Sequence, residues 1–327
     1  MIREVDTKDW RSFIENAPGG NIFQTPEMAE VFESAERYRP ISLFAVENDE
    51  IHGLVLATLI WNGGGFMKRF STRCVLQGGP LFSKASILPI LLRELDRLAS
   101  ESALYTEIRN LWDVSSDIPA YESTGFAYEP HLNFHIDLGR GEEELWSDIS
   151  KGRRKGIKKA ERAGLDFVPA KTSSQIDISY EILKKTYSGV GVPLADKTLF
   201  ESAFRILGPR QYARFFLCLH EGEPIACRAV LSFKGTIHDW YGGSLAEHRA
   251  KKPDEFLIWN VLKWGISEGF EVFDFGGAGS PTEDYGPREF KRRFGGKMVE
   301  PGRFKKINKP RLLWISGRAY RIYRRLR

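Results

Sequence analysis

Residues 271–296 have the sequence EVFDFGGAGSPTEDYGPREFKRRFGG, which predicts a short strand, a glycine-rich loop and a basic helix. Alternation along the strand places its two phenylalanines on one face and Asp274 on the other. Glycines after a strand let a ligand approach the backbone, and open α/β sheets bind substrates at the carboxyl ends of their strands. We therefore expect Gly276 and Gly277 to contact a substrate, and Asp274 either to orient an incoming amine or to hold the loop.

The helix that follows this loop carries a candidate catalytic lysine. Phe290 and Phe294 lie four residues apart and predict the buried face of the helix, so Lys291 is turned towards the loop. An ammonium group there can stabilise the negative oxygen of a tetrahedral intermediate, as an oxyanion hole does. From these residues alone, the alternative that Lys291 is one of several solvent-facing cations stays open.

The two halves of the 327-residue chain show the same order of predicted elements, namely meander strands, a helix and a further strand. GFAYEP (Gly125–Pro130) and GKMVEP (Gly296–Pro301) space Gly, Glu and Pro identically, each between a short helix and an extended segment. These features indicate a duplicated α/β unit, with domains at residues 1–140 and 141–327. Within the second half, residues 142–163 predict one helix that stops at Gly164.

Composition and motifs exclude several classes of protein. No apolar run approaches the roughly 20 residues of a membrane span, and the start of the chain lacks the pattern of a signal peptide. The three cysteines form neither C-x-x-C nor a disulfide framework, so we expect a cytoplasmic protein with reduced thiols. P-loop, dinucleotide-binding, zinc-protease and nucleophile-elbow motifs are missing, and His131 and His135 lack a third ligand. We therefore predict no metal site.

Two segments of the chain are strongly basic. Residues 303–327 contain ten Lys or Arg and no Asp or Glu. The net charge of the whole chain is +5, so the rest of the chain has a net charge of −5. The segment KGRRKGIKKAER (Lys151–Arg162) has seven basic residues and one acid. Such surfaces indicate contact with nucleic acid or an anionic membrane, although a solvated helix face explains either segment equally well.

The C-terminal tail has the pattern of a basic amphipathic helix. Its apolar positions share one helical face and its arginines cover the remainder: Leu312, Ile315, Ala319, Ile322 and Leu326, against Arg318, Arg321, Arg324, Arg325 and Arg327. Such a helix either makes peripheral contact with an anionic membrane or docks on the body of the protein, and we favour docking.

Several segments together resemble the Fem family, the aminoacyl-tRNA-dependent aminoacyltransferases that build peptidoglycan cross-bridges. They are WSDISKGRRKGIKKAERAGLDFV (Trp146–Val168), WYGGSLAEHRAKKPDEFLIWNVLKWGISEGFEVFDFGGAGS (Trp240–Ser280), REFKRRFGG (Arg288–Gly296), NIFQTPEMAEV (Asn21–Val31) and QGGPLF (Gln77–Phe82). Their order and spacing carry the resemblance, which covers most of the chain. It implies an α/β fold of two tandem GNAT (N-acetyltransferase)-like domains with mixed central sheets, without the helical-hairpin insertion of some members.

The resemblance also implies a reaction, the transfer of an aminoacyl group from charged tRNA to an amine of a cell-wall or envelope precursor, without a cofactor. Lys291 matches the lysine of the family's F-K motif, which is assigned to the tetrahedral intermediate. We expect Tyr241 to line the same cleft as Lys291 and Asp274. The basic segment supplies the predicted contacts to the tRNA backbone, namely Arg154, Lys155, Lys158, Lys159 and Arg162.

Two positions depart from the family's pattern. Its peptidoglycan-precursor enzymes hold precursor phosphates with a lysine on the first helix and an arginine in the second domain. Here the first predicted helix carries Glu30 and Glu33 and no lysine. The segment that matches the arginine site has no arginine and offers Lys197 as the substrate-binding cation. Phosphate recognition favours cations, so the acceptor need not be the usual nucleotide-linked precursor.

Two other functions stay open at this point. An acyl-CoA-dependent N-acyltransferase can use the same scaffold, but CoA enzymes of this fold carry a Q/R-x-x-G-x-G/A loop after the fourth strand. The corresponding segment, GGSLAEHRAKKPDE (Gly242–Glu255), lacks that loop. A non-catalytic module that binds RNA or a membrane surface could keep the double fold without the chemistry.

Overall fold

The computed structural model describes residues 5–190 and 192–325, with the backbone alone for residue 190 and residues 319–325. Two compact units can be distinguished, one of Met1–Pro130 with Glu300–Arg327 and one of His131–Val299. The first break follows Pro130, before the expected boundary at residue 140. In addition, the C-terminal segment Glu300–Arg327 belongs to the first unit and not to the second. The last two residues of the predicted amphipathic tail, Leu326 and Arg327, lie outside the described part of the chain.

The described helices and strands follow the predicted α/β order, except that an unpredicted helix, Thr7–Asn16, precedes the helix with Glu30 and Glu33, which is Pro26–Ser34. The helices are α1 (Thr7–Asn16), α2 (Pro26–Ser34), α3 (Leu88–Ser100), α4 (Ile118–Glu122), α5 (Gly141–Asp148), α6 (Lys151–Arg162), α7 (Ser173–Val190), α8 (Lys197–Leu207), α9 (Pro253–Ser267), α10 (Gly286–Arg292) and α11 (Pro310–Arg325). The strands are β1 (Tyr38–Glu47), β2 (Glu50–Ile60), β3 (Arg73–Gln77), β4 (Leu81–Phe82), β5 (Tyr105–Arg109), β6 (Ala127–Glu129), β7 (Asn133–Asp137), β8 (Leu165–Pro169), β9 (Ala213–His220), β10 (Glu223–Phe233), β11 (Thr236–Ser244), β12 (Val272–Gly277), β13 (Lys297–Val299) and β14 (Arg303–Ile307). Over the described residues, no helix is both long enough and apolar enough to cross a membrane.

The first unit is built on a seven-stranded mixed sheet with the order β1-β2-β3-β5-β14-β6, in which β4 also pairs with β2. Strands β3 and β5 run parallel, from Cys74 opposite Thr106 to Gln77 opposite Arg109. Helix α3 covers this sheet with a stripe of fully buried leucines at the spacing of an amphipathic helix: Leu88, Leu91, Leu92 and Leu95. The core of the unit therefore lies between α3 and the sheet.

The second unit has a seven-stranded mixed sheet with the order β13-β7-β12-β11-β10-β9-β8. Strands β11 and β12 run parallel, and β10 pairs antiparallel with both β9 and β11. Helix α9, in the connection between β11 and β12, is buried on most sides, because Phe256, Leu257, Ile258, Val261 and Leu262 all lie in the core. Such a helix is enclosed by the sheet on one side and by α6 and α5 on the other.

The last strand of each sequence half joins the sheet of the other half. Strand β6 lies at the edge of the first sheet, but the next strand, β7, enters the second sheet between β12 and β13. Likewise β13 lies at the edge of the second sheet, and β14 enters the first sheet between β5 and β6. The repeated Glu-Pro pairs, Glu129-Pro130 and Glu300-Pro301, therefore mark the points at which the chain leaves one sheet for the other.

Residues 142–163 form two helices instead of the single helix predicted. Ile149 is extended, and the hydroxyl of Ser150 accepts the N–H of Arg153 as an N-cap, so that α6 starts at Lys151. The prediction was wrong at this point because the helix-start signal of Ser150 lies within an otherwise continuous helical pattern.

Candidate functional site

Strands β11 and β12 part after a short parallel pairing. They are in register from Thr236 opposite Val272 to His238 opposite Asp274, and a bulge in β11 follows directly, between residues 239 and 241. A cavity of about 370 Å³ opens beyond this point, lined by Tyr187, Arg228, Asp239, Trp240, Tyr241, Gly242, Ile258, Phe275, Gly276, Gly277, Pro287, Phe290 and Lys291. Parted strands leave backbone N–H and C=O groups without ladder partners, so the cavity offers a ligand both shape and hydrogen bonds.

Lys291 reaches from α10 to the carbonyls that β12 leaves unpaired. Its Nζ donates to the oxygens of Phe275 at 2.5 Å, Gly276 at 3.1 Å and Gly277 at 2.9 Å. Gly276 has a φ of +71°, in the left-handed region that favours glycine, and this turn helps to direct the successive carbonyls to one point. Lys291 is therefore turned towards the glycine loop, as predicted.

The charge of Lys291 is held in a partly desolvated place. Burial lowers the pKa of Lys291 from its ordinary value, the carboxylates of Asp239 and Asp274 work in the opposite direction, and Arg228 adds to the lowering. The ionised side chains that line the cavity are Lys291, Arg228 and Asp239, a net charge of +1. The cavity is therefore suited to a ligand atom that is negative or becomes negative during a reaction.

Both carboxylate oxygens of Asp274 contact protein groups behind the loop. Its Oδ1 accepts from Asn133 Nδ2 and from the N–H of Gly276, both at 2.7 Å. Its Oδ2 lies 3.1 Å from His238 Nδ1 and 3.7 Å from His135 Nε2. Burial alone would raise the pKa of Asp274, but these partners together lower it to about 2.

Of the two roles considered for Asp274, the geometry favours holding the loop. The side chain is 2% exposed and is not among the residues that line the cavity. Because it binds the N–H of Gly276, it fixes the turn that presents the carbonyls to Lys291. We therefore assign Asp274 a positioning role and do not expect it to touch the substrate.

A buried ion pair, which the sequence analysis did not identify, forms the wall opposite Lys291. Arg228 Nη1 donates to both carboxylate oxygens of Asp239, at 2.5 and 2.6 Å. The guanidinium lies flat against β11 at Gly242, where a Cβ atom would lie 2.8 Å from Arg228 Cζ. The adjoining WYGG motif therefore needs glycine for close packing, which is the signal that the sequence carried for this pair.

Tyrosine and tryptophan rings complete the cavity. Tyr241, predicted to share a cleft with Lys291, lines it together with Tyr187 at a ring distance of 5.9 Å. Phe200 packs edge-on against Tyr241 at 4.8 Å and fixes its ring from behind. Burial raises the pKa of Tyr187, so this hydroxyl stays protonated and can donate a hydrogen bond into the cavity.

Helix α6 supports the helix that carries Lys291. The guanidinium of Arg153 stacks 4.0 Å above the ring of Phe290 and pairs with Glu255 Oε1 at 2.7 Å. The N–H of Ser150 also donates to the carbonyl of Arg293. The first turn of the basic helix is therefore part of the site, because it fixes the orientation of α10.

The rest of α6 presents an exposed row of cations. Lys155, Lys158, Lys159 and Arg162 are exposed on one face, while Arg154 is half-buried and donates to the carbonyls of Trp146 and Ser147. Of the five residues predicted to contact tRNA, four thus have side chains that a polyanion can reach. Arg154 is engaged with the backbone of α5.

Lys197 lies elsewhere in the second unit. Its Nζ is 2.6 Å from Asp177 Oδ1 and 3.1 Å from Glu201 Oε1, hydrogen bonds that raise the pKa of Lys197 to about 12. It is not among the residues that line the cavity. The structure therefore gives no support to the predicted substrate contact of Lys197, because two carboxylates already hold its charge.

The first turn of α9 carries its own negative charges. Pro253 occupies the start of the helix and has no N–H, Asp254 accepts from Ser244 Oγ at 2.6 Å, and Glu255 pairs with Arg153. A helix start binds phosphate through free N–H groups and its positive dipole end. Here Pro253 removes one N–H group, and the two carboxylates counter the positive end of the helix dipole. The start of α9, where CoA enzymes of this fold hold pyrophosphate, is therefore unsuited to pyrophosphate.

The equivalent strand ends in the first unit are closed. Asn21 Nδ2 donates to the carbonyl of Gly78, and Gln24 Nε2 donates to the carbonyls of Gly78 and Gly79. Both amides are buried. The NIFQTP and QGGP segments that contribute to the resemblance thus have a structural role, because they close the end of the β3–β5 pair.

Among the described residues, no group of three or more His, Cys, Asp or Glu side chains could hold a metal ion. His135 and His238 both face Asp274, and the three cysteines are buried as free thiols.

Comparisons with known proteins agree with this architecture. A family model described as an acetyltransferase (GNAT) domain matches residues 148–292. The solved structure of FemX is similar with a TM-score of 0.73 at 16% identity, over 97% of this chain and 100% of FemX. L-PGS from Bacillus licheniformis has a TM-score of 0.60 at 16% identity, over 96% of this chain and 98% of its own. None of the curated proteins matches the sequence.

A tandem GNAT protein from the clavulanic acid biosynthesis pathway is also similar, with a TM-score of 0.60 at 10% identity, over 92% of this chain and 94% of its own. At these identities the likenesses show the fold. The chain therefore has a Fem-like fold of two GNAT-like domains, as the sequence predicted.

Proposed function

We propose that this protein is an aminoacyltransferase that moves an aminoacyl group from charged tRNA to an amine of a cell-envelope precursor, such as a peptidoglycan stem peptide. The coarser assignment to acyltransferases is supported by the GNAT-domain match and by the likeness to FemX and L-PGS. The observation that carries the proposal is the position of Lys291, whose ammonium lies at the point where β11 and β12 part.

The chemistry needs no covalent intermediate with the protein. The acceptor nitrogen attacks the ester carbonyl of the donor, the carbonyl oxygen becomes negative, and the tetrahedral intermediate collapses with loss of the ribose oxygen of the tRNA. The proton lost by the amine balances the one gained by that oxygen. Such aminolysis of an activated ester depends on alignment and on stabilisation of the oxyanion.

Lys291 is the group that we assign to the oxyanion. Its three donors are held by carbonyls, and the bond to Gly277, an exposed residue, is more accessible than the partly buried bond to Phe275. A substrate oxygen can therefore take the donor that now points to Gly277, while the other two bonds keep the ammonium in place. Arg228 and Asp239 stay paired, so the net positive charge of the cavity remains available.

The choice of tRNA over acyl-CoA as donor rests on two features. The first turn of α9 carries its own carboxylates where a pyrophosphate would bind. The exposed cations of α6 lie on the helix whose first turn supports α10, in the same unit as the cavity. Charged tRNA is a cytoplasmic donor, so the proposal places the reaction in the cytoplasm.

Titration of the purified protein with charged tRNA, uncharged tRNA and acetyl-CoA at low and moderate salt tests the choice of donor. We expect binding of tRNA that weakens with salt, and tighter binding of the charged form, because the cavity contacts the aminoacyl group. Tight binding of acetyl-CoA without affinity for tRNA would refute the proposal in favour of an acyl-CoA enzyme. Equal affinity for charged and uncharged tRNA would favour an RNA-binding module.

A further inference from the structure

The first unit exposes large apolar side chains in a short helical turn, Gly65–Phe70. Phe66 is 74% exposed and Met67 is 61% exposed. Lys68 and Arg69 follow directly and are also exposed. Single exposed apolar residues are common on protein surfaces, but adjacent ones at the tip of a loop indicate a binding surface.

Helix α11 contacts this turn and adds to the exposed apolar surface. Its Trp314 is 58% exposed and its Ile315 is 46% exposed, whereas Leu312 and Leu313 are half-buried. The helix therefore packs by Leu312 and Leu313 and leaves Trp314 and Ile315 uncovered, although Ile315 was predicted to share the apolar face of Leu312. Arg311 and Arg318 lie beside the exposed pair, and the guanidinium of Arg318 stacks 4.3 Å from the ring of Trp314.

The apolar tips and the cations belong to one surface of the first unit, here named the docking surface: Phe66, Met67, Lys68, Arg69, Arg311, Trp314, Ile315 and Arg318. Neither residues 61–72 nor residues 303–327 contain an Asp or Glu. Apolar tips beside cations, with no acidic residue in either segment, match the boundary between acyl chains and anionic headgroups.

We infer that the docking surface binds anionic phospholipid membranes. An RNA partner explains the cations and can stack on Phe66 and Trp314, but it gives no reason to expose Met67 and Ile315, which have no aromatic face. A second copy of the chain would bring like charges together across a symmetric interface. This inference does not depend on the proposed transferase function.

Sedimentation with lipid vesicles tests the inference. We expect the full-length protein to bind vesicles of phosphatidylcholine mixed with phosphatidylglycerol, and to bind vesicles of phosphatidylcholine alone much more weakly. The double variant Lys68→Ser, Arg69→Ser should reduce partition into the anionic vesicles about 30-fold, because each cation near an anionic leaflet contributes about fivefold. The double variant Phe66→Ser, Met67→Ser should reduce it at least about tenfold, through loss of apolar burial.

A control variant and a local probe separate insertion from general attraction. Met298→Ser removes an exposed methionine of the second unit and should leave partition unchanged. Because the three native cysteines are buried, Met67→Cys can be labelled with a polarity-sensitive fluorophore. Its emission should shift to the blue on anionic vesicles, whereas the same label on Met298→Cys should not respond.

Three results would overturn the inference. The first is equal partition into neutral and anionic vesicles, or partition that the docking-surface variants leave unchanged. The second is that these variants lose affinity for tRNA and not for vesicles, which would make the surface an RNA interface. The third is concentration-dependent dimerisation in solution that the apolar variant abolishes, which would assign the surface to a second copy.

Discussion

Replacement of Lys291 by methionine should abolish most of the transfer activity while the protein stays folded. Methionine keeps much of the length of the side chain but removes the ammonium that donates to the carbonyls of residues 275–277. Removal of one donor of an oxyanion hole costs roughly 10²- to 10³-fold in kcat, or about 3–4 kcal/mol. We expect a loss of that size in single-turnover rates with charged tRNA and an amine acceptor.

The same change should cost a moderate amount of stability. Water in the cavity can satisfy the carbonyls of Gly276 and Gly277, so the loss of stability comes largely from the partly buried bond to the carbonyl of Phe275, about 1–2 kcal/mol. The second unit spans His131–Val299. For a domain of this size, such a loss lowers Tm by roughly 2–8 °C.

Lys306→Met is the matched control. Lys306 is a partly buried lysine of the first unit that donates to Asp96 Oδ2 at 2.7 Å and to the carbonyl of Thr124 at 2.8 Å. Its loss removes a comparable set of hydrogen bonds from the first unit, whereas the cavity residues belong to the second, so Tm should fall by at least as much and the rate per folded molecule should not change. Should both variants lose rate in proportion to their folded fraction, Lys291 would be structural and the assignment would be refuted.

The alkaline limb of the rate profile should report Lys291. Burial lowers its pKa below the ordinary 10.5, and the group acts in its protonated form, so the rate should fall with an apparent pKa below 10.5. In that window the unfolded chain binds more protons than the folded one, so the titration of Lys291 does not itself destabilise the fold. In Lys291→Arg the limb should move out of the accessible range; an unchanged limb would assign the titration to another group.

Two further predictions concern the loop and the basic helix. The pKa of Asp274 is held at about 2, below its ordinary 3.8, so this carboxylate stabilises the fold above about pH 4 and the contribution is lost as pH falls through about 2. Asp274→Asn should therefore lower the free energy of unfolding by about 2 kcal/mol at neutral pH, and the difference in urea melts should shrink between pH 4 and pH 2; a constant difference would contradict the stated pKa. Replacement of Lys155, Lys158 and Lys159 by glutamine should weaken binding of tRNA and reduce the slope of log K against log salt by about 2–3, with no change in Tm; an unaltered slope would place the RNA on another surface.

The fold was largely predictable, because its local signals agree with its topology. The order of meander strands, helix and further strand was predicted in both halves, and the repeated Gly-x-x-x-Glu-Pro spacing indicated the duplication. The exchange of β7 and β14 between the two sequence halves was not predictable, because a strand's own sequence does not encode which sheet it will join. The break at Ser150 was missed, since its capping signal lies within a continuous helical pattern.

The site was predictable in part, and the reason lies in the kind of contact each residue makes. Lys291 and the glycines of its loop are close in sequence, so strand alternation and helix periodicity were enough to bring them together. The Arg228–Asp239 pair and the closure by Gln24 depend on partners in other elements, and the close-packed glycine of the WYGG motif was the one local sign of the pair. Of the two carboxylates that hold Lys197, Glu201 lies four residues further along the same helix and was predictable from spacing, whereas Asp177 comes from α7 and was not.

The most direct test of the proposed function is a comparison of two donors in one reaction. The purified protein would be given charged tRNA labelled in the aminoacyl group, or acetyl-CoA labelled in the acetyl group, together with a stem-peptide amine, and the label on the amine would be measured. We expect label on the amine from charged tRNA only, and we expect this label to be present with Lys306→Met and lost with Lys291→Met. Transfer from acetyl-CoA, or transfer from tRNA that survives the loss of Lys291, would contradict it.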